Sequence, residues 1–128
     1  MKYWMPAVFV ALFIFFMSGS SNPPGADLAP DYVAHFLVYG FFALTLLWGV
    51  TRGLKKEITF SRAAVSFFIS SAYSATDEFH QSFVPHRLPS WSDILADTVG
   101  AACFLLVVLV FAWVRRRRRP ACEASIEP

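Results

Sequence analysis

At 128 residues the chain is long enough for one domain and too short for two. With 56% hydrophobic residues, 14 phenylalanines and a mean hydropathy of +0.50, it carries more apolar surface than a soluble domain of this size can bury, so a lipid bilayer is its expected solvent. The net charge of +2 excludes little; its distribution along the chain says more.

A spanning helix needs roughly 20 mostly apolar residues. The first apolar run, "YWMPAVFVALFIFFMSGS" over 3–20, meets that length if it extends into the serines. Its alternative is a secretory signal, with Lys2 ahead of the apolar core and "SGSS" as a small-residue cleavage site. The core is long for a signal, and cleavage would leave the other spans as they are. "SNPPGADLAPD" follows, with three prolines and a glycine that separate the first helix from the second. The second run, 32–51, qualifies easily as a span. "RGLKKEITFSR" is a short polar turn. The third run, 60–76, is the shortest, bounded by Arg62 and Asp77. Its Ala63, Ala64, Ser66, Ser70, Ser71, Ala72 and Ser74 suit close packing against other helices rather than contact with lipid. "VPHRLPSWSD" carries two prolines, and Ser90 or Ser92 would cap the next helix. The fourth run, 91–114, is a clear span, followed by five arginines and a basic tail over 115–128. The expected fold is all-α: a four-helix transmembrane bundle over 1–114.

Lys and Arg set the expected orientation. With four spans, Lys2, Arg52, Lys55, Lys56, Arg62 and Arg115 to Arg119 share one side, and Arg87 alone lies on the other. The positive-inside rule then puts both termini in the cytoplasm of a multi-pass bacterial cytoplasmic (inner) membrane protein. The acids divide the opposite way. Asp27, Asp31, Asp77, Glu78, Asp93 and Asp97 fall outside; Glu57, Glu123 and Glu127 fall inside. The arginine run reads as an anchor on anionic lipid, and no nucleic-acid partner is expected. Cys103 and Cys122 lie apart on the membrane and reducing side, so no disulfide is expected.

The outer ends of spans 2, 3 and 4 gather the ionisable groups. Asp31 and His35, Asp77 and Gln81, and Asp93 and Asp97 are each spaced i,i+4, so each pair shares one helix face. Tyr39 lies one turn further in from His35, and Gly100 continues the face of Asp97. An aspartate at helix centre costs roughly 2.5–3.5 kcal/mol to insert, so Asp97 must be paired, protonated or facing water. Arg87 is the one non-histidine cation on that side, and a bidentate contact with Glu78 or Asp93 is the expected centre of the network. Asp27 and His86 read as solvated loop residues.

The stretch "TDEFHQSFVPHRLPSWSDILADTVGAA" resembles the signature of VanZ-like membrane proteins, which runs roughly D-E-x-x-Q-x-F-x-P-G-R, then an Asp opening the last helix, then Asn or Asp and a Gly. The matching positions are Asp77, Glu78, Gln81, Phe83, Pro85, Arg87, Asp93, Asp97 and Gly100. Upstream, "DYVAHFLVYGFFAL" is similar to that family's second segment, with its Asp, His-Phe pair and Tyr-Gly, so the likeness covers Asp31 to about Gly100. Two positions depart from the pattern. Tyr32 stands where the family often has Lys, which removes an ion-pair partner. His86 stands where Gly usually precedes Arg87, which removes a residue free to take positive φ. The resemblance implies a small polytopic protein of the cell envelope. The family takes its name from a member linked to resistance to teicoplanin, a glycopeptide antibiotic with a lipid tail, and it assigns no catalytic residue.

Four functions compete. In the first, Asp31, His35, Asp77, Glu78, Gln81, Arg87, Asp93 and Asp97 line an outward polar pocket for a lipid headgroup or amphiphile, with membrane lipids, a lipid-linked envelope precursor or a lipoglycopeptide as partner. Arg87 would take the anionic group, and Phe83 and Trp91 would anchor at the interface. The second is an intramembrane enzyme with Glu78 as general acid or base. No cofactor is expected, and no metal-specific ligand spacing is present. Were a metal bound, His35 or His80 with Asp31, Asp93 or Asp97 would hold it. The third is a proton-coupled carrier, for which four short spans would need an oligomer. In the fourth the network only holds the helices together, as in an accessory subunit.

Overall fold

The computed structural model describes residues 1–21, 30–85, 87 and 90–118. Asp27, His86, Arg119, Cys122, Glu123 and Glu127 lie outside the described residues, as do the expectations placed on them. The described chain is all-α, with helices α1 (Met5–Ser18), α2 (Asp31–Val50), α3 (Phe60–Gln81) and α4 (Trp91–Arg118) and no strand among the described residues.

Local chemistry accounts for the helix ends. Pro6 lies in the first turn of α1, where its missing N–H is not needed. Pro30 precedes α2, and Asp31 in the first turn complements the helix dipole. Thr51 ends α2 by donating its hydroxyl to the Leu47 carbonyl at 2.7 Å. The chain then turns through Arg52, Gly53 and Leu54, all at positive φ. Gly53 also faces the Tyr3 ring, which a Cβ would meet at 3.0 Å. Thr59 caps α3, accepting from the Arg62 N–H at 3.4 Å. Ser90 caps α4: its Oγ accepts from the Ser92 N–H at 3.2 Å. Of the two expected caps, Ser90 is the one that serves.

Three boundaries differ from expectation. α1 has 14 residues, about 21 Å of helix, shorter than a bilayer core. α3 continues to Gln81, because the next helix-breaking residue is Pro85 and its terminal acids find partners inside the bundle. α4 continues through Arg118, one turn past the expected end of the span. By length and composition, α2 and α4 are the two helices apolar enough to cross a membrane. α3 is long, but its inner stripe is Ala63, Ser66, Ser70, Ser74, Asp77, Glu78 and Gln81.

α2 is the central helix and packs on all three others, most extensively on α4. One face joins α1 and α3 through Ala7, Val10, Ile14, Tyr39, Phe42 and Leu46, with Tyr73 alongside. The other joins α3 and α4 through Ala43, Leu47, Ala63, Ala101 and Leu105. Gly100 lets α2 and α4 touch, since a Cβ there would overlap the Phe36 carbonyl. The outside of the bundle is apolar: Phe9, Phe13 and Phe16 of α1, Leu37 and Phe41 of α2, Phe68 of α3 and Leu106, Val107, Val110 and Phe111 of α4 are exposed.

The two ends of the bundle differ in charge. At one end the ammonium groups of Lys2 and Lys55 both lie over the Tyr3 ring. Arg116 reaches from α4 to the Glu57 carboxylate at 3.1 Å and the Ile58 carbonyl at 2.9 Å. The opposite end is acidic.

Candidate functional site

Two carboxylates tie the helices together at the acidic end. Asp77, 5% exposed, uses both oxygens. Oδ1 accepts from the Ser18 hydroxyl of α1 at 2.6 Å. Oδ2 accepts from the Tyr39 hydroxyl of α2 at 3.1 Å and from the Gln81 amide one turn on at 3.1 Å. Asp97, 1% exposed, does the same one layer across. Its Oδ1 lies 3.0 Å from His35 Nδ1 on α2, and its Oδ2 accepts from the Ser74 hydroxyl of α3 at 2.6 Å. All four helices therefore meet on two buried acids. In a low-dielectric interior such bonds are strong, and an unmade one is correspondingly costly.

Glu78 and Arg87 complete the cluster in an unexpected way. Glu78 Oε2 accepts from the Ser90 N–H at 3.0 Å, joining the end of α3 to the start of α4. Its Oε1 is buried and without a partner among the described residues. Arg87 donates from Nη1 to Gln81 Oε1 at 2.8 Å. The expected Arg87 contact with Glu78 or Asp93 is not made. The cause is the extra length of α3. Helix to Gln81 turns Glu78 inward, and it places the Gln81 amide between Asp77 and the guanidinium, so Arg87 meets the acids through a neutral relay.

The remaining predicted residues divide. Asp31, His35 and Asp93 come together, with one ligand atom from each lying within 4.8 Å of the others. Asp31 is exposed and Asp93 half-buried. His80 stands apart from them; its ring stacks on Phe15 at 4.4 Å, between α3 and α1. Phe83 and Trp91 are both exposed. Ser18, Ser74 and Ser90 were not among the expected site residues. Ser74 was legible as part of the small-residue stripe one turn before Asp77. Ser18 carried no signal until α1 was placed beside α3. A separate cavity of about 520 Å³ lies at the basic end, between α2 and α4, with Leu47, Trp48 and Phe111 in its wall and Lys56, Arg115 and Arg116 at its rim.

The VanZ/LLP1 family model matches residues 31–112, from the first residue of α2 into the last turns of α4. The chain belongs to the VanZ/LLP1 family. The matched region contains every member of the hydrogen-bonded cluster on Asp77, Asp97, Glu78 and Arg87 except Ser18, which α1 brings to it from outside the match. No curated protein and no solved structure matches the chain. Family membership makes it a VanZ-like protein, and the two long apolar helices agree with the membrane setting that the family implies.

Proposed function

We propose that this VanZ-like chain is a multi-pass protein of the bacterial cytoplasmic membrane, with both termini in the cytoplasm, whose acidic end faces outward and holds the anionic headgroup of a lipid or lipid-tailed amphiphile. The apolar exterior supports the membrane setting, because soluble monomers rarely expose contiguous apolar surface on this scale. The grouping of Lys2, Lys55 and Arg116 at one end supports the orientation by the positive-inside rule.

The observation that carries the ligand reading is the state of Arg87. Its recorded partner is a neutral amide oxygen, and among the described residues no carboxylate lies within ion-pair distance of it. A half-buried guanidinium left without an anion, at the edge of a hydrogen-bonded cluster, is suited to bind a phosphate or carboxylate in its planar fork. Exposed Phe83 and Trp91 would lie against the aliphatic part. Retention of a lipoglycopeptide or a lipid-linked precursor there would change tolerance to teicoplanin-type antibiotics. Cells producing the Arg87→Ala protein at wild-type level should lose that change in tolerance; unaltered tolerance would refute the role of Arg87.

One observation favours a second reading. The unpartnered Oε1 of Glu78 is placed to give or take a proton from a lipid-linked substrate. Under it, Glu78→Gln would stop turnover of such a substrate and leave its binding intact. No turnover by the wild-type protein would remove this reading.

A further inference from the structure

We infer that Asp31, His35 and Asp93 form a site for a divalent first-row transition ion at the mouth of the acidic end. This site stands on the cluster alone, independently of headgroup binding at Arg87.

His35 is the element that makes the cluster a site. Its side chain is 10% exposed. Asp97 fixes it from behind, with Oδ1 3.0 Å from Nδ1, and Asp97 is itself fixed by the Ser74 hydroxyl at 2.6 Å. Asp97 takes up Nδ1, so Nε2 is the ring atom turned toward the cluster, and an ion there would bind the neutral imidazole and displace any proton Nε2 carries. Nε2 makes no hydrogen bond among the described residues and faces Asp31 Oδ1 at 4.0 Å. That gap is too long for a hydrogen bond. Two ligands of a tetrahedral ion at about 2.0–2.2 Å lie about 3.3–3.6 Å apart, so binding an ion requires the exposed Asp31 side chain to close by roughly half an ångström. Asp93, in the first turn of α4, is the third residue of the cluster: one ligand atom from each of Asp31, His35 and Asp93 lies within 4.8 Å of the others.

The arrangement has the parts of a built metal centre. A carboxylate behind the imidazole orients it and raises its basicity, as outer-shell partners of metal-bound histidines do. Three protein ligands leave positions open for water or an anionic oxygen. Charge also favours it. The N-termini of α2 and α4 each present about half a positive charge, which three nearby aspartates exceed. One imidazole with two carboxylates selects Zn²⁺ or Mn²⁺ over Mg²⁺ and Ca²⁺, which prefer oxygen alone. His80, the other histidine considered for a metal, is held against Phe15 and takes no part.

The test uses the full chain purified in mild detergent, cleared with a chelator and titrated with Zn²⁺ and Mn²⁺ by calorimetry. Metal content is measured after desalting. Wild type should retain a single ion per chain. Asp31→Asn, a change at an exposed position that folding tolerates, and Asp93→Asn should each weaken binding by more than about tenfold, in line with the loss of a direct ligand. His80→Ala should bind as wild type does. No bound metal in wild type, wild-type affinity in Asp31→Asn or Asp93→Asn, or loss of binding in His80→Ala would each overturn the assignment.

Discussion

Asp77 and Asp97 are placed where a carboxylate is least tolerated, and each is made tolerable by donors from other helices. Hydrogen bonds between membrane helices average about 0.6 kcal/mol and reach about 1.7 kcal/mol. Removing one donor, as in Ser18→Ala, should therefore cost no more than that. Asp77→Ala is different in kind, because it leaves the Tyr39 and Gln81 donors unpaired at once, while Ser18 keeps only the Phe15 carbonyl at 3.1 Å. It should destabilise the folded protein by about 2–4 kcal/mol. Ser70 is the internal control: its hydroxyl is fully buried and without a partner among the described residues, so Ser70→Ala should be neutral within about 0.5 kcal/mol or slightly stabilising. Unfolding in detergent, followed by circular dichroism, measures all three. An Asp77→Ala protein as stable as wild type would mean that the network does not hold the helices together.

At the scale of elements, the α2–α4 contact controls the geometry of the acidic end. Phe36, whose carbonyl lies against Gly100, directly follows His35. Gly100→Ala must push the two helices apart, since the obstructing atoms are backbone. It should destabilise by about 1–3 kcal/mol, as overpacking of a close contact does. The shift should also separate His35 from Asp97, read as a change in the histidine ring signals by NMR. Gly19→Ala is the comparison, because its Cβ would meet ordinary contact distances of 3.4 Å and beyond, and it should change neither.

The elements themselves were largely legible. Uninterrupted apolar runs mark α2 and α4, and the small residues from Ala63 to Ser74 mark the packed face of α3. What could not be read was where α3 stops. The apolar run ends at Thr76, and although Asp77 and Gln81 sit at helical spacing, only the structure shows α3 carrying Asp77, Glu78 and Gln81 inward, where Ser18, Tyr39 and the Ser90 N–H meet the two acids. Those partners come from α1, α2 and the start of α4, and no local pattern announces contacts of that range. The same error carried over to Arg87. A guanidinium among acids suggests an ion pair, but the longer helix put an amide in the way.

For the whole molecule, the central position of α2 and the contrast between a basic and an acidic end define one axis. A C-terminal reporter fusion active only in the cytoplasm should be active, and a fusion made in the α1–α2 connection should not. The reverse pattern would invert the site, turning Asp31, Arg87 and Asp93 toward the cytoplasm and removing any claim on extracellular amphiphiles. The cavity at the basic end is lined by α2, α4 and the α2–α3 connection, at the end of the bundle opposite the acidic cluster.

On the function proposed above, the acidic end holds an anionic amphiphile through Arg87. The most direct measurement is native mass spectrometry of wild type and Arg87→Ala, released from the same mild detergent. Wild type should carry a discrete bound lipid or amphiphile mass that is lost from the variant, while the variant unfolds at nearly the wild-type temperature. Bare spectra for both proteins, or an equally occupied variant, would contradict it and leave the network as a device that holds four helices together.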